Sequence, residues 1–308
     1  MKITAALVKE LRDKTQAGMM DCKKALTETD GDIDKAMDVL REKGLSKATK
    51  KADRIAAEGL VAAKFTEDHK QAAVVEINSE TDFVAKNPEF VEFVDKIAEI
   101  VLNNDVKDVE ALKALPYGEE GTVDEALIQK ISKIGEKLSI RRFVKLQTPG
   151  NVYVGYVHGG GKIVAVTGVK TDAFNETVER VGKDVAMQIA SMSPKFVMDS
   201  EADQEYLEHE KEIARKQLEE EGKPAQMIEK IIPGKIKKVL KEVCLLDQKF
   251  VKNGDLTVEQ YVADEAKKAG QDMAVTEMVR YEVGEGIEKR NEDFAEEVAK
   301  QQAEVAAK

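Results

Sequence analysis

The order strand, turn, strand, helix occurs twice in this chain, and no other feature narrows the fold as much. In the first copy Val61, Ala63 and Phe65 alternate with their neighbours, Glu67 to Lys70 form a polar turn, and residues 72–78 return as an apolar strand. A helix over about 88–103 follows, with Phe90, Phe93, Val94, Ile97 and Val101 on one face. The second copy runs from an alternating stretch at Asn151 to His158, through a Gly159-Gly160-Gly161 turn, to a strand at Ile163 to Val169. Its helix, over about 175–192, carries Val178, Val181, Val185, Ile189 and Met192. Between the copies, Thr122 and Glu125 form a capping-box pattern ahead of Leu127, Ile128, Ile131 and Ile134, and Arg141 to Leu146 reads as a further strand. A sheet face must be covered, and here a helix does it, so the pattern predicts an α+β protein with two related subdomains of antiparallel sheet and helix.

At 308 residues the chain has room for several domains. Residues 1–45 read as three short helices. Thr4 caps the first, with Leu7, Val8 and Leu11 in one stripe. Asp32 caps the third, whose Ile33, Ala36, Met37 and Leu40 share a face and whose end falls at Gly44, placed as a C′ glycine. Met19 and Met20 are adjacent in the turn before the second helix. Neighbouring helical side chains diverge by about 100°, so one methionine at most reaches the core and the other is left exposed or bound. Residues 46–58 form a basic linker, helical in part, for which a solvated charge run is the simpler reading and an RNA contact the other. The core then divides at 59–147 and 148–199. Residues 200–245 are dense in Glu and Lys with a narrow apolar seam split by Gly222-Lys223-Pro224, the pattern of an inserted antiparallel coiled-coil hairpin. Pro233-Gly234 should kink or interrupt its second arm. Residues 246–308 return to the core with a strand at Met278 to Val283 and end in a helix over about 289–302.

Charge and composition exclude several classes. The net charge of -11 opposes general binding to nucleic acid, which needs clustered Lys and Arg. No apolar run approaches the ~20 residues of a membrane helix, and the N-terminus lacks a signal-peptide pattern, so a soluble, cytoplasmic protein is expected. Cys22 and Cys244 lie far apart and neither belongs to a Cys-x-x-Cys pair, so no disulfide framework or zinc motif is implied. Cys22, at helical spacing from Ala25 and Leu26, reads as a small core residue.

Little suggests an enzyme. His69, His158 and His209 fall in unrelated elements, and no Gly-x-Ser-x-Gly or His-Glu-x-x-His pattern occurs. A phosphate loop ending at Lys162 would need glycine at position 156, where Tyr156 stands, so the glycine run is a hairpin turn. No cofactor is implied.

One run invites a functional reading: Glu80-Thr81-Asp82-Phe83-Val84-Ala85-Lys86-Asn87-Pro88. Asn87 and Pro88 read as N-cap and first helical position, which leaves 79–86 as a connecting loop with a phenylalanine in it. Phe83 either folds back to plug the subdomain core or protrudes as an anchor, and an anchor of this kind can supply about 2 kcal/mol to an interface.

Six co-ordered runs stand out: Leu11-Arg12 through Thr15, Ala17 through Leu26, Thr81-Asp82-Phe83-Val84-Ala85, Tyr156 to His158, Asp184 through Gln188, and Val243-Cys244-Leu245-Leu246. Together they resemble the bacterial-type elongation factor Ts family. The resemblance spans nearly the whole chain. It implies a guanine-nucleotide exchange factor, without bond-making chemistry, that binds elongation factor Tu in GDP-bound and nucleotide-free forms. It also implies that 1–45 is a ubiquitin-associated-like module. The contacts it implies fall on Thr81, Asp82, Phe83 and Val84, with Met19 and Met20 as a second contact and His158 as a further one. Three positions depart from the family pattern: Gln16, the Gly160-Gly161-Lys162 turn, and Pro233. The hairpin's role is open between contact with the partner and a homodimer or 2:2 complex. A non-catalytic scaffold or peptide-binding module using the N-terminal three helices is the competing reading.

Overall fold

The computed structural model describes residues 3–15, 17–118 and 121–288; the expected terminal helix over 289–302, and Gln16, lie outside them. The fold is α+β. Three helices come first, α1 (Ala5–Thr15), α2 (Met19–Glu28) and α3 (Ile33–Thr49). The hairpin β1 (Glu58–Phe65) and β2 (Ala72–Ser79) leads into a single-turn helix α4 (Asp82–Ala85), then α5 (Pro88–Asn103), α6 (Val109–Lys113), α7 (Val123–Ile134) and β3 (Leu138–Leu146). A second hairpin, β4 (Asn151–His158) and β5 (Ile163–Lys170), leads into α8 (Glu176–Met192). Next come α9 (Gln204–Glu220), α10 (Ala225–Val243), a small ribbon of β6 (Lys249–Phe250) and β7 (Asn253–Thr257), α11 (Val258–Ala269) and β8 (Ala274–Glu282).

The two copies build equivalent sheets. The orders are β1-β2-β3 and β4-β5-β8, antiparallel throughout, and each has a bulge between its second and third strands, at Glu76/Ile77 and at Gly168/Val169. The strand period of two sorts each central strand onto two faces. From β2, Ala73, Val75 and Ile77 join Phe90, Phe93 and Ile97 under α5, whereas Ala72 and Val74 face the other sheet. From β5, Ala165 and Val169 pack under α8 with Val181 and Val185, and Val164 and Val166 face inward. The core is therefore four layers, helices outside and sheet against sheet within. Tyr153 fills this middle layer, its hydroxyl donating to Glu277 at 2.7 Å and accepting the Thr148 amide at 2.8 Å.

Glu76 also lies on the inward register and is fully buried. Its carboxylate accepts from Arg141 (2.9 Å), Arg142 (2.6 Å), Asn78 (3.1 Å) and the backbone amide of Gly284 (2.8 Å). Burial alone would raise this carboxyl's pKa, but the Gly284 amide and the arginines outweigh it and hold the group below the usual glutamate range.

Four local expectations need correction. Gly44 does not end the third helix. It is buried inside α3, which continues to Thr49, and a methyl there would meet Ile128 at 3.2 Å, so the glycine marks the close crossing of α3 over α7. The 79–86 connection is not wholly loop, because Thr81 is extended and the next four residues make one helical turn before Asn87 caps α5. Met19 and Met20 do not lie in the turn but open α2, and both are exposed, within the limit of one in the core. Pro233 does not interrupt its helix: α10 runs unbroken through it, and Pro233 and Glu229 both lie on the exposed side, where water can serve the carbonyl that proline leaves unpaired. The α9 and α10 helices pair through Leu218, Ile228, Ile232 and Ile236, with Arg215 bonded to Glu229 at 2.8 Å.

Among elements the pattern did not identify, α11 had a readable signature. Thr257 and Gln260 form a reciprocal capping box, and Gly270 at φ 62° closes the helix in the left-handed region.

Candidate functional site

The turn after β2 is fastened on every side except one. Ser79 Oγ donates to the Thr81 carbonyl at 3.0 Å. Thr81 donates its amide to Glu136 Oε2 at 3.0 Å and its hydroxyl to Glu136 Oε1 at 2.7 Å. Glu80 accepts the Lys137 amide at 2.5 Å and pairs with Arg54 at 3.3 Å. Val84 and Ala85 are buried in the α5 core and anchor the helical turn from below. Helical geometry then sends Phe83 outward, and 79% of it is exposed. No other large hydrophobic side chain in the described residues is as exposed.

Asp82 is the acid in the first turn of α4, where it favours the helix dipole. Its carboxylate accepts from Lys86 at 2.9 Å, and that bond, with the charges of Lys86 and Lys162, lowers its pKa below the ordinary aspartate value. Lys86 Nζ also stands 5.9 Å from the centre of the Phe83 ring. The arrangement presents a hydrophobic ring flanked by a carboxylate and an ammonium. A ring held on so ordered a turn can enter an apolar pocket without first losing backbone freedom.

The 158–162 turn comes to the same edge. The Val61 amide donates to the Gly161 carbonyl at 2.8 Å, and Lys162 pairs with Glu58 while adding to the field at Asp82. His158 is exposed at the end of β4, with Nδ1 3.1 Å from the Tyr156 hydroxyl. Met19 and Met20 belong to a different surface, the start of α2, and are 58% and 62% exposed. The packing that leaves them out is plain: Cys22, Ala25 and Leu26 take the inward face of α2. The structure thus brings Thr81, Asp82, Phe83, Val84 and the His158 turn towards one edge and keeps the methionines on a separate unit. The residue that reading the sequence missed is Glu136. Only its place beside a left-handed Gly135 after a helix, just before a strand, marks it as a turn residue.

Among the described residues no group of His, Cys, Asp or Glu is placed to hold a metal ion, and no helix is long and apolar enough to cross a membrane.

Comparison with known proteins places this scaffold among factors of translation. Residues 80–285 match the family model described as Elongation factor TS. The elongation factor Ts of Clostridioides difficile (strain 630) is 56% identical over 299 residues, covering 97% of this chain and 98% of that one. Those of Clostridium perfringens (strain SM101 / Type A) and Clostridium botulinum (strain Eklund 17B / Type B) are each 51% identical, covering 97% of this chain and 98% and 99% of theirs. The chain belongs to the elongation factor Ts family.

Proposed function

We propose that the chain is a guanine-nucleotide exchange factor that binds elongation factor Tu and accelerates loss of its GDP by pressing the Phe83 turn into it. The observation that carries this reading is the exposure of Phe83 on a turn whose other members are all bonded or buried. The family supplies the partner and the direction of the effect.

The mechanism has a thermodynamic requirement. Exchange is accelerated only if the factor binds the nucleotide-free partner more tightly than the GDP-bound one, and GDP must then weaken factor binding by the same ratio. Burying one Phe ring contributes about 1.5 to 3 kcal/mol, a factor of roughly 10 to 100, so other contacts must join it. Asp82 beside the ring, His158 on the same edge, and Met19 with Met20 on α2 are the candidates, the thioethers suiting an adaptable apolar surface. The turn disturbs the region of the partner that holds magnesium. A site that loses Mg²⁺ loses a counter-charge to the diphosphate, and the nucleotide leaves.

The same reading takes 1–45 as a ubiquitin-associated-like module, 46–58 as linker, 59–147 and 148–199 as core subdomains, 200–245 as a coiled-coil insertion and 246–308 as the return to the core. It makes the chain a cytoplasmic protein without bond-making chemistry. The test is stopped-flow release of fluorescent GDP from elongation factor Tu. Phe83→Ala and Asp82→Ala should each slow stimulated release several-fold while circular dichroism stays unchanged; native rates in both would refute the site.

A further inference from the structure

We infer that Glu136 is the positioning residue of the Phe83 turn, an inference that rests on the exchange function proposed above. Two facts carry it. Thr81 is the N-cap of α4 yet makes no side-chain cap, because its hydroxyl and its amide both go to Glu136. The clamp is also reciprocal: the Glu136 carboxylate takes the amide of Thr81, and the Glu80 carboxylate takes the amide of Lys137. Two short segments, 80–81 and 136–137, are thereby locked together, each giving a carboxylate and receiving one.

The consequence for Phe83 is geometric. Thr81 is held extended, at φ -124° and ψ 157°, and that conformation sets the direction in which the next residues leave the sheet. Val84 and Ala85 fix the far end of the turn in the core, and Glu136 fixes the near end. Without the carboxylate, Thr81 is free to turn its hydroxyl to the amides of its own helix in the ordinary capping manner, and the turn pivots on its buried end. Phe83 then stays attached and exposed but loses its aim.

The turn that carries Glu136 is itself well supported. Gly135 takes the left-handed conformation that ends α7, and its carbonyl accepts Lys51 Nζ at 2.6 Å. Lys137 Nζ donates to the carbonyls of Ala52 at 2.6 Å and Arg54 at 2.8 Å. The segment leaving α3 is therefore bonded to Gly135 and Lys137, the two residues that flank Glu136.

The experiment is stimulated release of fluorescent GDP from elongation factor Tu by the full chain, comparing Glu136→Ala, Glu136→Gln, Phe83→Ala and the double variant Glu136→Ala with Phe83→Ala. Glu136→Ala should lower the stimulated rate about tenfold, within the range for small displacements of a positioned group. Glu136→Gln keeps one acceptor oxygen and the side-chain volume, so it should recover part of that loss. In the Phe83→Ala background, Glu136→Ala should add less than about a twofold further loss, because a positioning effect has nothing left to position. An equal loss in both backgrounds means a role in stability alone and overturns the inference. A native rate in Glu136→Ala, with Phe83→Ala slowed, overturns it too and leaves the exchange reading standing. A native rate in Phe83→Ala removes that reading and this one together. Should Glu136→Ala unfold, Glu136→Gln decides: a native rate in it overturns the inference, and a partial loss that disappears in the Phe83→Ala background supports it.

Discussion

The carboxylate of Glu76 accepts the backbone amide of Gly284 at 2.8 Å across 208 residues of sequence. Gly284 lies two residues beyond the end of β8 in the second sheet, whereas Glu76 is on the central strand of the first. One buried charge thus joins the two sheets, and Arg142 reaches from it to Glu285 at 3.1 Å.

Glu76→Gln should destabilise the chain by about 3 kcal/mol, because it removes the buried counter-charge of Arg141 and leaves Arg142 only the half-exposed Glu285. The pH dependence has a definite sign. The folded carboxyl is held below its unfolded value, so its stabilisation is complete above the ordinary glutamate pKa of about 4.3 and fades as pH falls through the lower folded value. Urea unfolding from pH 7 down to pH 3 should show a steeper loss for the native chain than for Glu76→Gln; parallel curves would contradict this.

Gly284→Ala is expected to be at least as damaging. Its φ is 71°, and an added methyl would stand 2.1 Å from the Ala57 carbonyl oxygen. No flexible side chain can yield there, since the obstacle is backbone. A loss of about 3 kcal/mol or more is expected, read as a lowered midpoint in urea, with the Glu76 bond weakened in the same variant.

Met19→Ala combined with Met20→Ala should leave helix content and melting temperature unchanged, because both side chains are exposed. Affinity for nucleotide-free elongation factor Tu should fall about tenfold or more if both thioethers are buried in the complex. Titration calorimetry reads this directly, and an unaltered dissociation constant would exclude the α2 surface from the interface.

Neither cysteine should react in the native protein. Burial, with help from Asp247, Asp199 and Glu201, pushes the Cys244 thiol up to about 11, and burial raises Cys22 as well. At neutral pH Cys244 therefore stays a thiol, and it is buried. Iodoacetamide should label neither residue until denaturant is added. Rapid labelling of Cys244 in the folded chain would mean that the junction of Phe196 and Cys244 opens readily.

Much of the fold was legible because its signals are local. Asn87 before Pro88, Asp32 before Ile33, and Thr122 with Glu125 are each settled within four residues, and all three caps form as read. Where the reading failed, a distant residue decided. Gly44 has the local look of a helix end, yet Ile128 across the interface makes it a crossing point. The exposure of Phe83 could not be decided from pattern, because the side chains that hold its turn, Glu136 and Arg54, come from elsewhere in the chain. Pro233 signals a break that its exposed position makes unnecessary. The face-to-face packing of the two sheets was legible only in part: the unbroken apolar character of 72–75 implies cover on both sides, but not by what.

The helical pair α9 and α10 leaves and rejoins the core at a single point. Phe196 and Cys244 form a parallel bridge, the Leu245 amide donates to the Phe196 carbonyl at 2.8 Å, and the Lys195 amide donates to the Val243 carbonyl at 2.8 Å. Entry and exit are stitched side by side, so the excursion between them behaves as a graft on a closed stem. Its length can be altered by hand without moving the points at which the core chain enters and leaves it.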